Sequence, residues 1–241
     1  MCAGTLIWRL HCHIHNEISA TLENMCGRFA CFNKRQAAEQ LNLNLPEHAA
    51  QPRYNVAPGT WILAAYRAGP EHPVALDELW WGYRPHWTGE KAPQPINARL
   101  EKVASSRFYS SAFSRHRCII PADGWYEWLP TDHGKQPHYL TCADRQPVWL
   151  AGIFAPRADG SLGAAIITHE AEGSAREVHD RMPLALDECC IDDWLDGGLT
   201  DKETVRQLIQ PLAAERVVHW PVSTSVNRPG NDADDTLINP A

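Results

Sequence analysis

The chain lacks any apolar run approaching the roughly 20 residues that cross a bilayer as a helix, so nothing in it reads as a membrane anchor. It lacks a CxxC pair. Its eight cysteines fall at irregular spacing, which disfavours a zinc ribbon or a disulfide framework. Reduced, intracellular thiols are the simpler reading. Basic residues are in deficit, with 22 Lys and Arg against 29 Asp and Glu, for a formal net charge of −7. That excludes a generally basic nucleic-acid coat. Any contact with DNA has to come from a local arginine cluster and through few phosphates. Residues 1–24 hold one arginine, no long apolar core and no small-residue cleavage pattern, and do not read as a signal peptide. No internal repeat, linker or low-complexity tract is visible. The 241 residues therefore predict a single compact α+β domain.

Present in excess is tryptophan, at ten residues. Tryptophan is costly to bury whole and well suited to stacking, so some of the ten are expected to face a ligand. The stretch that organises the rest is Met25-Cys26-Gly27-Arg28-Phe29. If the chain is trimmed after Met25, Cys26 carries a free α-amine beside its thiol. The amine can condense with an aldehyde, and the thiol can close on the imine to give a five-membered thiazolidine. The α-amine titrates about two units below lysine, so it supplies a neutral nucleophile near pH 7. The competing reading is that Cys26 is a small buried hydrophobe, a common fate of free cysteine. Residues 1–24 differ in character from the remainder of the chain and are read as a leader or an over-extended start. Within them, His11-Cys12-His13-Ile14-His15 resembles a metal cluster but lacks a second half at zinc spacing, so neither metal nor cofactor is expected.

Further along, Asn33 predicts a helix cap for residues through about Leu41. Tyr54-Asn55-Val56-Ala57-Pro58-Gly59 reads as an extended segment entering a turn. Trp61–Tyr66 and Val74–Trp81 are strand-like, and residues 82–95 form a Pro-, Trp- and Gly-rich loop before Ile96-Asn97-Ala98-Arg99. Arg117 to Trp128 predicts two strands around a Pro-Ala-Asp-Gly break. Glu127 sits there among aromatic residues. Either it is buried with a raised pKa, suited to acid–base work, or it faces outward from an alternating strand. Residues 136–142 and 147–154 read as another hairpin, residues 162–168 as a buried strand, and residues 170–178 as helix-prone. Residues 187–195 and 201–212 read as helices.

These motifs, with His179-Asp180-Arg181-Met182-Pro183 and Pro221-Val222-Ser223 followed by Val226-Asn227, resemble those of the SOS response-associated peptidase (SRAP) family from Met25 to about Pro240. That family shields abasic sites in single-stranded DNA. The resemblance implies a mixed, barrel-like β core flanked by short helices. It implies that Cys26 forms a thiazolidine with the ring-opened sugar, that Asn97 orients the Cys26 backbone and amine, and that Glu127 and His179 act as acid–base groups at the sugar. Arg28, Asn55, Pro58, Trp87, Arg99, Arg107, Thr168 and Arg181 fall where family members hold DNA. The family's paired Trp-Trp wedge is halved here, since Trp87 is followed by Thr88. The implied partner is single-stranded DNA with abasic sites, met by a monomer in the cytoplasm near the nucleoid, with no membrane. A cysteine peptidase built on Cys26, His179 and Asn97 is the alternative, with self-cleavage before Cys26 as its attraction.

Overall fold

The computed structural model describes residues 26–89 and 91–241. The expected leader and the His11–His15 cluster lie outside the described residues. After Cys26 the chain runs through β1 (Phe29–Cys31), helix α1 (Lys34–Gln40), β2 (Arg53–Val56), β3 (Trp61–Arg67) and β4 (Val74–Trp81). Next come β5 (Asn97–Arg99), α2 (Leu100–Val103), α3 (Ser110–Arg115), β6 (Arg117–Ala122), β7 (Gly124–Thr131), β8 (Gly134–Cys142), β9 (Val148–Pro156) and β10 (Leu162–Glu170). The chain ends with β11 (Arg181–Pro183), β12 (Ala185–Leu186), α4 (Ile191–Leu195), α5 (Lys202–Leu208) and β13 (Val217–Pro221).

Two sheets result. The first has five strands in the order β13-β8-β7-β1-β2, and the second has eight. The second closes on itself: β10 pairs β4, β4 pairs β3, β3 pairs β6, β6 pairs β9, and β9 returns to β10. This ring is the expected barrel-like core, and closure leaves its members without free edges. Alternation along the strands sorts side chains between two cores. On β3, Leu63 and Ala65 pack with Ala37, Phe113 and Trp194 of the helices. Ile62 and Ala64 face the other way, onto Phe29, Val56 and Trp125 of the five-stranded sheet.

Several local expectations are corrected. Residues 136–142 and 147–154 do form strands, β8 and β9, but not a hairpin. β8 pairs β7 and β13, whereas β9 pairs β6, β10 and β12. Residues 170–178 hold the end of β10 and a single 3-10 turn at Gly173–Glu177, with Gly173 at φ +53°. The helix expected over 201–212 stops at Leu208, because Pro211 is close behind and Leu212 N–H bonds to Ala185 O instead. Asn33 precedes α1 but makes no cap bond. Its side chain is drawn to Asp123, whose buried carboxyl also accepts the Phe32 and Asn33 N–H groups.

Candidate active site

Cys26 is only 3% exposed, and three elements converge on it. The strand just after it, β1, is held to β7 by the Phe29–Trp125 pairing and by Tyr126 N–H donating to Arg28 O at 2.9 Å. That register brings Glu127 alongside Cys26, close enough for its carboxyl to raise the thiol pKa. Among the described residues the thiol donates to Arg181 O on β11, at 3.9 Å. From the side, Asn97 at the head of β5 donates its amide Nδ2–H to Cys26 O at 3.2 Å. Asn97 is fixed in turn by the β5–β10 pairing and by Tyr109 O–H on its own carbonyl at 3.3 Å.

Burial sets the electrostatics of this nook. Glu127 is 3% exposed and its carboxyl pKa is pushed up to about 8, chiefly by desolvation and only partly offset by the neighbouring Cys26 thiol. Of the two readings of Glu127, the structure selects the buried one. Desolvation first, and Glu127 second, also raise the Cys26 thiol well above its usual range. With Met25 still attached, the pair is therefore held neutral. Two buried oxygens here have no hydrogen-bond partner among the described residues: Asn97 Oδ1 and Glu127 Oε1. Leaving a buried acceptor unpaired costs about 1–3 kcal/mol.

His179 lies at the mouth, its side chain 19% exposed. Nδ1 of its ring lies 3.0 Å from Arg181 N and 3.2 Å from Arg181 O. Asp180 Oδ1 is 3.1 Å from Nδ1, ready to pair with an imidazolium. His179, Asp180 and Arg181 line an open cleft with Leu129, Pro130 and Glu177. Arg181 does not reach outward. Its guanidinium forks onto Glu101 at 2.7 and 3.1 Å and bonds Thr168 O at 2.7 Å. That fork holds the Glu101 carboxyl below its ordinary range.

The expected DNA-binding residues divide into surface and scaffold. Arg99, Arg107 and Trp87 are exposed, Trp87 at 61%, with its ring edge-on to Phe108 at 6.0 Å. Pro58 is half-buried beside Gly59, whose φ of +72° makes the turn. Asn55 and Thr168 are buried. The Asn55 amide bonds the carbonyls of Val226 and Arg228, and its Oδ1 accepts from Arg28 Nη1 at 2.7 Å. Burial lowers the Arg28 pKa. Sequence reasoning overlooked the C-terminal clasp that completes this cluster. Asp232 O accepts from Tyr54 N–H, Asp232 Oδ1 from Asn55 N–H, and the Asp232 carboxylate pairs with Arg53. The Gly/Asn/Asp-rich tail gave only a loop signal. The pairing of Glu101 with Arg181 likewise gave no sequence signal.

Such a site is not that of a papain-like peptidase. There the asparagine orients the histidine, whereas here Asn97 holds the Cys26 carbonyl and His179 is oriented by Arg181 N–H. The thiol pKa moves in the direction opposite to activation. What the fold and site define is a mixed β protein with a sequestered cysteine whose own backbone is gripped beside a neutral carboxylic acid.

The family model for SOS response associated peptidase (SRAP) matches residues 25–229, and the chain belongs to that family. Its relatives include the abasic site processing protein YedK of Escherichia coli, 35% identical over 90% of this chain and all of that one. The abasic site processing protein YoqW of Bacillus subtilis is 32% identical over 88% of this chain and 99% of its own length. The vertebrate protein HMCES of Gallus gallus, also named an abasic site processing protein, is 30% identical over 89% of this chain and 77% of its own length. Among solved structures, a phage-related protein from Bordetella bronchiseptica superposes with a TM-score of 0.69 at 33% identity, over 83% of this chain and 95% of that one.

Proposed function

We propose that the chain captures abasic sites in single-stranded DNA as a covalent thiazolidine on Cys26, once the Met25–Cys26 bond is cut. The observation that carries this reading is the convergence on Cys26 of Asn97, whose amide holds the Cys26 carbonyl, and of buried Glu127, with Asn97 Oδ1 and Glu127 Oε1 unpartnered among the described residues. A freed α-ammonium supplies the missing donors. It also gives Glu127 a counter-charge, which draws its pKa down toward the carboxylate form. Glu127 can then take a proton from the ammonium and leave a neutral amine.

Chemistry proceeds in balanced steps. The abasic sugar is mostly a closed hemiacetal, and opening it moves a proton off the C1′ hydroxyl and delivers one to the ring oxygen. Glu127 and His179 are the acid–base groups for that transfer, a role typically worth about 10²–10⁴-fold. The amine attacks C1′, water leaves, and the thiol adds to the imine carbon while its proton passes to nitrogen. Holding the aminothiol beside the aldehyde adds effective molarity, about 10⁵ M or more in well-oriented cases. The finished ring ties up the aldehyde, so β-elimination of the strand is suppressed and lyase activity stays low.

DNA is held by exposed Arg99 and Arg107, by Trp87 and by Pro58. Arg28, Asn55, Thr168 and Arg181 act from behind, as the scaffold that sets this surface. Residues 1–24, together with Met25, are removed before the reaction. The test is a denaturing gel with an abasic oligonucleotide and chains beginning at Cys26: wild type, Cys26→Ser, and wild type with its α-amine acetylated. A stable adduct is expected for wild type alone. Adduct from the acetylated chain would remove the aminothiol step.

A further inference from the structure

Only three large hydrophobic residues are exposed among the described residues: Trp61, Trp87 and Val218. Trp87 already has a part in the proposed DNA surface, while Trp61 has none. It opens β3 at 43% exposure, directly across from Trp80 on β4, the two rings 5.6 Å apart at 78°. The Arg157 guanidinium stands 5.5 Å from the Trp80 ring centre, and its Nη1 is anchored to Gly82 O and Gln94 Oε1, both at 3.1 Å. The result is an indole in solvent on a rigid backing, held at a fixed tilt rather than folded flat onto the sheet.

Its position is continuous with Pro58. Thr60 Oγ1 bonds Ala57 O at 2.7 Å, Gly59 N–H bonds Trp81 O, and Trp81 N–H bonds Thr60 O, so the turn is stitched to the end of β4. A Cβ at Gly59 would come within 3.9 Å of the Trp80 ring. The arginines nearby are already paired, Arg53 with Asp232 and Arg157 with Asp159 at 3.6 Å. The patch therefore offers a π-face without a spare cation.

Building on the reading of the chain as a capturer of abasic single strands, we propose that Trp61, backed by Trp80 and Arg157, is a stacking platform for a nucleobase flanking the lesion on the side of the Pro58–Gly59 turn. Stacking suits any base, since each has a π-face, so the platform lengthens the bound strand without adding sequence preference. It also adds no phosphate neutralisation, so the salt dependence of binding is set elsewhere.

The experiment uses the chain beginning at Cys26 and strands carrying a tetrahydrofuran abasic analogue, which binds but cannot react. Fluorescence anisotropy is read across a salt series for wild type, Trp61→Leu and Trp61→Phe, on a full strand and on strands trimmed from either flank. Trp61→Leu is expected to weaken binding about 5–100-fold, with Trp61→Phe recovering most of the loss. The slope of log affinity against log salt stays unchanged, and the difference vanishes when one particular flank is trimmed. Equal affinity for Trp61→Leu and wild type, a changed salt slope, or a loss that persists on both trimmed strands would overturn the platform. So would a wild-type dimer in sedimentation that Trp61→Leu dissolves, since the indole would then belong to a contact between copies. Wild-type adduct formation on reactive abasic DNA, run in parallel, separates failure of the platform from failure of the capture reading.

Discussion

Glu127 concentrates the energetics of the site in one side chain. In the uncut chain its pKa is pushed from the ordinary 4.5 up to about 8, so between those values the folded state binds a proton that the unfolded state releases. Stability is then fully present below about pH 4.5 and falls as pH rises toward 8. Cys26 contributes no slope in this window because its thiol is held neutral well above it. Urea unfolding of the uncut chain should show wild type losing several kcal/mol relative to Glu127→Gln between pH 5 and pH 8, given about 1.4 kcal/mol per unit; the comparison cancels His116, His138 and His169, whose lowered pKa values act in the opposite direction. Equal pH dependence in wild type and Glu127→Gln would mean that the carboxyl is ionised in the fold. A second prediction concerns Asn97. Asn97→Ala leaves the buried Cys26 carbonyl without its donor and should cost about 1–3 kcal/mol. It should slow adduct formation by more than tenfold while strand affinity, read with an unreactive analogue, stays near wild type. The residue types of this nook were legible in the sequence. Which way Glu127 faced was not, because an alternating Tyr-Glu-Trp stretch satisfies both burials until β1 and β8 are placed on either side of it.

At the scale of elements, the β7–β8 pair sets where Glu127 stands, and Gly124 allows it. A Cβ there would lie 2.4 Å from Leu140 O and 2.6 Å from the Tyr139 hydroxyl, backbone and packed ring that cannot yield cheaply. Gly124→Ala should destabilise by about 1–3 kcal/mol or more, seen as a lower thermal midpoint, and should impair adduct formation beyond what the stability loss explains. The clasp of the tail on β2 is milder. Asp232 is 28% exposed, so Asp232→Ala should cost about 1–2 kcal/mol after solvent screening. It should also make the peptide after Val226 easier to cleave in limited proteolysis. Strand positions were readable from periodicity, as β3, β4, β8 and β10 attest. Partners were not: β8 and β9 are neighbours in sequence but belong to different sheets, and only closure of the ring through β9 and β10 decides that. Short helices misled for a related reason. Residues 170–178 have helical propensity, but the β10–β11 pairing takes Glu170, and Gly173 turns the chain.

As a whole molecule the chain carries net charge −7 and still presents exposed Arg99 and Arg107 beside internally paired Arg28 and Arg181. The proposed strand-binding surface offers Arg99 and Arg107 as its exposed arginines, so binding to an undamaged single strand should show a shallow salt slope. A slope of about −0.7 per phosphate and two to four contacts give roughly −1.5 to −3. A slope several times steeper would mean the internally paired arginines turn outward on binding. Membership in the family was legible from the order of its motifs, and no helix among the described residues is long and apolar enough to cross a membrane. The most direct test of the whole account is the intact mass of the product formed when a chain beginning at Cys26 meets an abasic oligonucleotide, with fragmentation to locate the join. The account predicts the sum of protein and strand less one water, with both the nitrogen and the sulfur of Cys26 bound to the same carbon. A strand joined elsewhere, or to Cys26 through sulfur alone with the amine free, would contradict it.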